Sequence, residues 1–400
     1  MTTDKGISRR IKQHIIAKDH TFFAITQPGF EKTAESELPD SGISAIRGAV
    51  TGGVEFASRL TDCYLLHLRS RTLTRILMRI AHFKATNFTV LRKKTASLPW
   101  ELYLSDGIQF SCKTTCHHSR LYHTGRIEQE VSDAVTARLG EYGIRAHHTM
   151  SDTESPVQTI FIRFDNDLCQ ISLDVSGDPL YRRGYRPCVS AAPLRETLAA
   201  LILMEARIGS YDTLIDPMAG SGIFSIEAAM MRGNIHPGIN RHFIFESWPS
   251  FRPETFHHIK KQLLHGAGDD INPLTVYCSD YSGQAIQTIL KNLQAGKLSD
   301  IIKPEQRNFF SDYITLPGKC RSLIVLNPPY GKRVTGSQSQ KKLYEKIGDT
   351  IRCRYPKSGY AIIVPGVEYE KHLGLQYDRK IPFLYGGLQV AVIFKDSPQL

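Results

Sequence analysis

Residues 213–222 read T-L-I-D-P-M-A-G-S-G, and this stretch decides the fold. Thr213–Asp216 is a short apolar strand ending in an acid, and Pro217 stops it. Gly220 and Gly222 then supply a tight turn before the helical pattern of Phe224 to Met231. Strand, glycine turn and helix form the opening unit of a doubly wound α/β sheet. Further strands are expected at Thr275–Cys278, Leu323–Leu326, Ala361–Val364 and Val390–Phe394. A dinucleotide fingerprint would place a third glycine at position 225, where the chain has Ser225, which argues against a nicotinamide dehydrogenase.

The polar residues that close these strands form a series. Asp216 and the loop Met218-Ala219-Gly220-Ser221-Gly222 are placed to hold the amino-acid end of an adenosyl ligand. Asp280, followed by Tyr281, is placed to accept both hydroxyls of a ribose, and Asp312 to accept from an adenine amine. Taken singly, each acid equally suits a helix cap or a surface turn. Their order along successive strand ends brings them to one sheet edge. The strand Leu323 to Leu326 runs into Asn327-Pro328-Pro329-Tyr330. An exocyclic amine is a poor nucleophile because its lone pair is delocalised into the ring. The Asn327 side-chain oxygen and the Pro328 carbonyl could take its two N–H bonds and localise that pair. The two prolines fix φ and remove donors, and Tyr330 could stack on an extruded base.

With 400 residues, the chain suggests two or three domains. No apolar stretch approaches a membrane span, and the first twenty residues show no signal-peptide pattern, so a cytoplasmic protein is expected. Eight scattered cysteines suit free thiols, and Cys112, Cys116, His117 and His118 lack a partner pair, so no metal is expected. The net charge of +11 is concentrated in two blocks. Residues 51–100 hold nine Lys/Arg against two Asp/Glu, and residues 301–400 hold sixteen against eight. Two basic blocks suit a polyanion contacted at two places. Candidate contacts to such a polyanion are Arg71, Arg75, Arg92, Lys93, Lys94, Arg182, Arg183, Lys332 and Arg333.

The N-terminal half reads as small α/β units. A strand at Thr21–Thr26, a helix through Glu31 to Leu38 and a strand at Gly52–Phe56 are expected, then helix-period segments at Cys63–Leu68 and Thr72–Ile80. A second unit follows, with a strand from Ile108, a helix over Glu128–Leu139 and a hairpin turning at Asp165-Asn166-Asp167. The expected domains are 1–80, 81–175, a linker over 176–195, and 196–400.

Together these residues resemble the D/N-P-P-Y/F/W amino-methyltransferases with a Rossmann-like fold. Phe22-Phe23-Ala24 with Pro28-Gly29, Gly52 to Phe56 and Arg71 to Leu77 are similar to the N-terminal part of THUMP-domain RNA methyltransferases. Tyr181 to Arg186, Ala192 to Glu196, Asp216 to Gly222 and Glu227-Ala228-Ala229 are similar to the RlmL type. The resemblance implies an N-terminal ferredoxin-like unit, a THUMP unit and a C-terminal methyltransferase domain using S-adenosylmethionine. It implies guanine-N2 methylation of 23S ribosomal RNA, with tRNA guanine N2, adenine N6 or non-catalytic RNA binding as alternatives. Cofactor contacts are implied at Asp216, Gly220, Gly222, Asp280, Asp312 and Asn327, and base contacts and catalysis at Asn327 to Tyr330. The chain departs from the family pattern at Ala219, Ile223 and Ser282. RlmL-type proteins with a second methyltransferase domain are longer, so one such domain is expected here, with no obligate protein partner.

Overall fold

The computed structural model describes residues 4–149, 157–187, 194–265, 274–312, 314–318, 320–329 and 337–398. The chain divides into two compact units. The first comprises residues 1–26, 35–180 and 241–262, and the second comprises 27–34, 181–240 and 263–400.

The first unit is built on an eight-stranded sheet. Its strands are β1 (Asp19–Ile25), β2 (Ala45–Val50), β3 (Gly53–Arg59), β4 (Arg75–Lys84), β5 (Ile108–His117), β6 (Ala146–His148), β7 (Val157–Asp165) and β8 (Leu168–Asp174). Their order is β2-β3-β1-β4-β8-β7-β5-β6. The helices are α1 (Asp4–Ile11), α2 (Glu31–Glu37, which straddles the unit boundary), α3 (Asp62–Arg69), α4 (Phe88–Ala96) and α5 (Thr124–Gly140). Phe22, Phe56, Ile76, Met78, Phe110, Ile160, Ile162 and Leu173 bury one sheet face, alternating with residues on the other as period-two strands require. The β7–β8 hairpin turns at Asn166 and Asp167, whose φ values of 51° and 63° suit a two-residue turn with left-handed geometry.

Three expectations are corrected here. The segment Thr72–Ile80 is not helical: Arg75–Lys84 forms β4, paired with β1 and β8. A short apolar segment of this kind is ambiguous between the helical period and the strand period. The boundary expected at 80/81 falls inside β4, so the two N-terminal units share one sheet. Residues 241–262, expected in the last domain, belong to the first unit. Phe245, Phe251 and Phe256 there, the last on α8 (Pro253–His265), surround Tyr64 of α3, with the Tyr64 and Phe245 rings 4.8 Å apart, and Phe243 packs on His67 of the same helix.

The second unit carries a seven-stranded sheet. It contains β9 (Thr213–Asp216), β10 (Thr275–Asp280), β11 (Glu305–Gln306), β12 (Ser322–Leu326), β13 (Gly359–Val364), β14 (Arg379–Tyr385) and β15 (Leu388–Lys395). The order is β11-β10-β9-β12-β13-β15-β14, parallel except around β15. Helices α6 (Glu196–Glu205), α7 (Ile223–Arg232), α9 (Gly283–Gly296), α10 (Ser337–Arg354) and α11 (Val367–Leu373) complete it. Leu214, Leu323, Val325 and Ile363 face one core with Leu198, Phe224 and Ile289, whereas Ile215, Ile324, Leu326 and Ile362 face another with Tyr344 and Ile347. Burial on both faces is why these strands read as unbroken apolar runs. It leaves the strand ends as the place for polar chemistry. The order reverses at β9, with β10 on one side and β12 on the other, which makes their carboxyl ends the switch point.

Candidate active site

β9 delivers Asp216 to that edge fully buried. Its Oδ2 accepts from the Ser225 hydroxyl at 2.8 Å and the Ser225 amide at 3.3 Å. The carboxylate therefore caps α7, whose Gly222 cap residue has no side chain to do so. Burial pushes the Asp216 carboxyl up to about 7; the Ser225 bonds oppose this and nearby Asp280 adds to it. Ser225, whose identity argued against a dinucleotide site, is thus the residue that satisfies Asp216.

The loop after Asp216 is stitched to the end of β10. The Ala219 amide donates to the Ser279 carbonyl at 3.0 Å, and the Gly220 amide to Asp280 Oδ2 at 2.9 Å. The Ser221 carbonyl accepts from Asn292 Nδ2 on α9 at 3.1 Å. Gly222 has φ +79°, and a Cβ there would meet Ile289 at 3.0 Å, so both conformation and space require glycine. Gly220, at φ +57°, differs: a Cβ would have nothing within 4 Å. The loop backbone is open on that side, with room for a ligand. Met218 is half-buried and Ala219 buried.

Asp280 is buried, and its other oxygen accepts from the Ser282 amide at 3.0 Å. Ser282 caps α9 by accepting from Ala285 N at 3.4 Å. Tyr281 beside it is 76% exposed, an aromatic ring left at the sheet edge. Gln306, level with Asp280 on β11, donates to the Tyr281 carbonyl at 3.0 Å and was missed in the sequence. Asp312 is exposed. It accepts from the Asn308 amide and the Ser311 hydroxyl at 3.0 Å, bonds that hold its carboxyl below the usual range.

Asn327 follows β12, the strand paired with β9 through Ile324 and Ile215. Its Oδ1 is sealed from solvent and has no hydrogen-bond partner among the described residues. Leaving a buried acceptor unpaired costs about 1–3 kcal/mol, so such an atom calls for an explanation. A donor supplied by a ligand is one. Pro328 is buried and Pro329 half-buried. Tyr330, Lys332 and Arg333 lie outside the described residues.

Two of the proposed RNA contacts are withdrawn. Arg75 is committed to the buried Asp174 carboxylate and the Gly177 carbonyl. Arg183 is sealed in an ion pair with Glu227 at 2.6 Å, both side chains at 0% exposure, and the Tyr185 hydroxyl donates to the same carboxylate. Burial of these charges leaves nothing for a phosphate. Arg92 pairs with Glu130 at 2.8 Å, Arg71 is half-buried, and Lys93, Lys94 and Arg182 are exposed. Among the described residues no His/Cys/Asp/Glu group could hold a metal, and no helix is long and apolar enough to cross a membrane.

Residues 183–381 match the RMKL-like methyltransferase domain, 21–77 the RlmL ferredoxin-like domain and 85–174 the THUMP domain. A putative RNA methyltransferase of Synechocystis is 30% identical over 94% of this chain and 97% of its own length. The chain belongs to the RMKL-like methyltransferase family. It is 29% identical to the ribosomal RNA large subunit methyltransferase K/L of Syntrophotalea carbinolica, over 93% of this chain and 53% of that protein. The chain thus spans about half the length of the K/L relatives in this family. Among solved structures, the putative methyltransferase SMU.472, crystallised with SAH, superposes with a TM-score of 0.85 at 27% identity. That match covers 96% of this chain and 100% of the other.

Proposed function

We propose that the chain transfers a methyl group from S-adenosylmethionine to the exocyclic N2 amine of a guanine in 23S ribosomal RNA. The observation that carries this reading is the unpaired, buried Oδ1 of Asn327 at the sheet edge shared with Asp216 and Asp280. The SAH in the SMU.472 structure and the large-subunit K/L relatives support the donor and the substrate class.

The residues present fit the donor. Asp216, raised by burial and without a cation among the described residues, suits an ammonium group. The open side of Gly220 leaves space for the ligand against the loop backbone, and Asp280 retains acceptor capacity for ribose hydroxyls. Tyr281 offers a ring for the adenine, and Asp312 an acceptor for its amine. When bound, S-adenosylmethionine supplies an electrophilic methyl group on a sulfonium.

Asn327 and the Pro328 carbonyl do the complementary work on the acceptor. They take the two N–H bonds of the target amine and turn its lone pair toward the methyl group. Tyr330 stacks on the base. Preorganised acceptors of this kind need no rearrangement during reaction. The proton lost from nitrogen passes to solvent, since no dedicated base stands beside Asn327 among the described residues.

Adenine N6 is the second reading, because a Listeria structure at 25% identity is titled a predicted N6-adenine-specific DNA methylase. Incubation with labelled donor and either undermethylated 23S RNA or tRNA, then nucleoside digestion, separates the readings. N2-methylguanosine from 23S RNA is expected; N6-methyladenosine, or label only in tRNA, overturns the assignment.

A further inference from the structure

One face of the first unit's sheet is buried along its length, and the other is covered around Leu77, Asp174 and Thr159 and exposed toward the β7–β8 turn. The pairing register maps the other face row by row. Lys113, Phe161, Ser172 and Arg79 lie side by side across β5, β7, β8 and β4. The next row is Thr115, Arg163, Gln170 and His82, and the next is His117, Asp165, Leu168 and Lys84. Lys113, Thr115, His117, Arg163, Leu168, His82 and Lys84 are all exposed. Strands in a protein interior would carry apolar residues here; these carry cations, imidazoles and amides.

Two aromatic rings on this face sit under arginines. The Arg75 guanidinium lies 5.8 Å from the Phe161 ring centre, and that of Arg79 4.8 Å from Phe23. Both rings are half-buried, so each keeps part of its surface open to solvent. Lys84, Lys113 and Arg163 outnumber the one acid in these rows, Asp165, which pairs with Arg163 at 3.2 Å. We propose that this open sheet face is a stacking platform for a single-stranded segment of RNA. The proposal rests on the RNA reading above and adds the surface and the strandedness. A pleated face with rings serves unstacked bases, whose flat sides are free, while the flanking cations follow the phosphates. A duplex hides those base faces and would meet only the charges.

The test uses the whole chain and a fluorescent single-stranded RNA of about twelve nucleotides, within the span such surfaces cover. The double variant Lys113→Glu/Arg163→Glu changes exposed positions only and is expected to fold. It should weaken binding about tenfold or more and flatten the salt dependence by about 0.7 per lost phosphate contact. Phe161→Leu keeps apolar volume, removes the ring, and should weaken single-strand binding about tenfold while sparing duplex binding. SAH-induced thermal stabilisation should be unchanged in both. Equal affinity of the double variant and the wild type, or duplex bound as tightly as single strand, overturns the platform. Methylated product from the wild type in that case leaves the functional reading standing. Loss of binding in the variants with no methylated product from any RNA defeats the functional reading and leaves the platform. Failure of the wild type to bind any RNA defeats both.

Discussion

Two buried aspartates close strands in this molecule, and they are provided for differently. Asp174 ends β8 in the first unit, and Asp216 ends β9 in the second; both are essentially inaccessible to solvent. Burial raises both carboxyls, to about 6 for Asp174 and about 7 for Asp216. Asp174 has its own counter-charge in Arg75, plus the Ser176 amide at 2.9 Å. Among the described residues Asp216 has only the neutral donors of Ser225, with Asp280 adding repulsion. A carboxylate that carries its cation within the fold is a structural device. One that lacks a cation, beside a glycine loop with open space, is arranged for a cation that arrives with a ligand.

The largest effect expected from breaking this contrast is in the first unit. Arg75→Met leaves Asp174 buried and uncompensated, at a cost of about 3–5 kcal/mol in unfolding free energy by urea titration. A loss below about 1 kcal/mol, comparable to a surface pair, would mean the pair is not structural. Next in size is Asn327→Ala, expected to lower turnover by about 10²–10³. SAH affinity should be unchanged if, as proposed, the missing oxygen holds the acceptor base rather than the donor. An equal fall in SAH affinity would move Asn327 to the cofactor's side of the site. Asp216→Asn removes the charge and keeps the shape. Apo stability should hold or rise, while SAH affinity by calorimetry falls about tenfold to a hundredfold. A variant that binds SAH normally would remove Asp216 from the ligand.

The contrast between the two aspartates was only half legible in the sequence. Asp216 was readable because strand, glycine turn and helix are local, and each residue type there has a conformational reason. The parallel strands were readable because burial on both faces leaves unbroken apolar runs. Asp174 was not, because its partner is about a hundred residues away and only sheet pairing joins them. The same non-local pairing explains why Arg75 and Arg183 read as free cations when both are consumed by buried acids. β4 read as helix because a short apolar run fits either period. The segment 241–262 gave no sign of its destination, since an aromatic run does not name the core it enters. Asn327 was legible as a motif, but the isolation of its oxygen is a property of packing alone.

The smallest predicted effect is the most specific to Asp216. A carboxyl raised by burial stabilises the fold fully below its unfolded value near 3.8, and that contribution is lost as pH rises through the folded value. For Asp216 the loss runs from about 4 to about 7, and for Asp174 from about 4 to about 6. Apo stability should therefore decline across that window. An arriving ammonium favours the ionised form, so cofactor binding has the opposite dependence. SAH affinity should be flat above about pH 7 and fall by up to tenfold per unit below it, about 1.4 kcal/mol at pH 6. Asp174 is not expected to produce this slope, because Arg75 within the fold already favours its ionised form. Calorimetric titration of wild type and Asp216→Asn with SAH from pH 5.5 to 8.5 separates the two. The slope should be present in the first and absent in the second; the same slope in both would place the titrating group elsewhere.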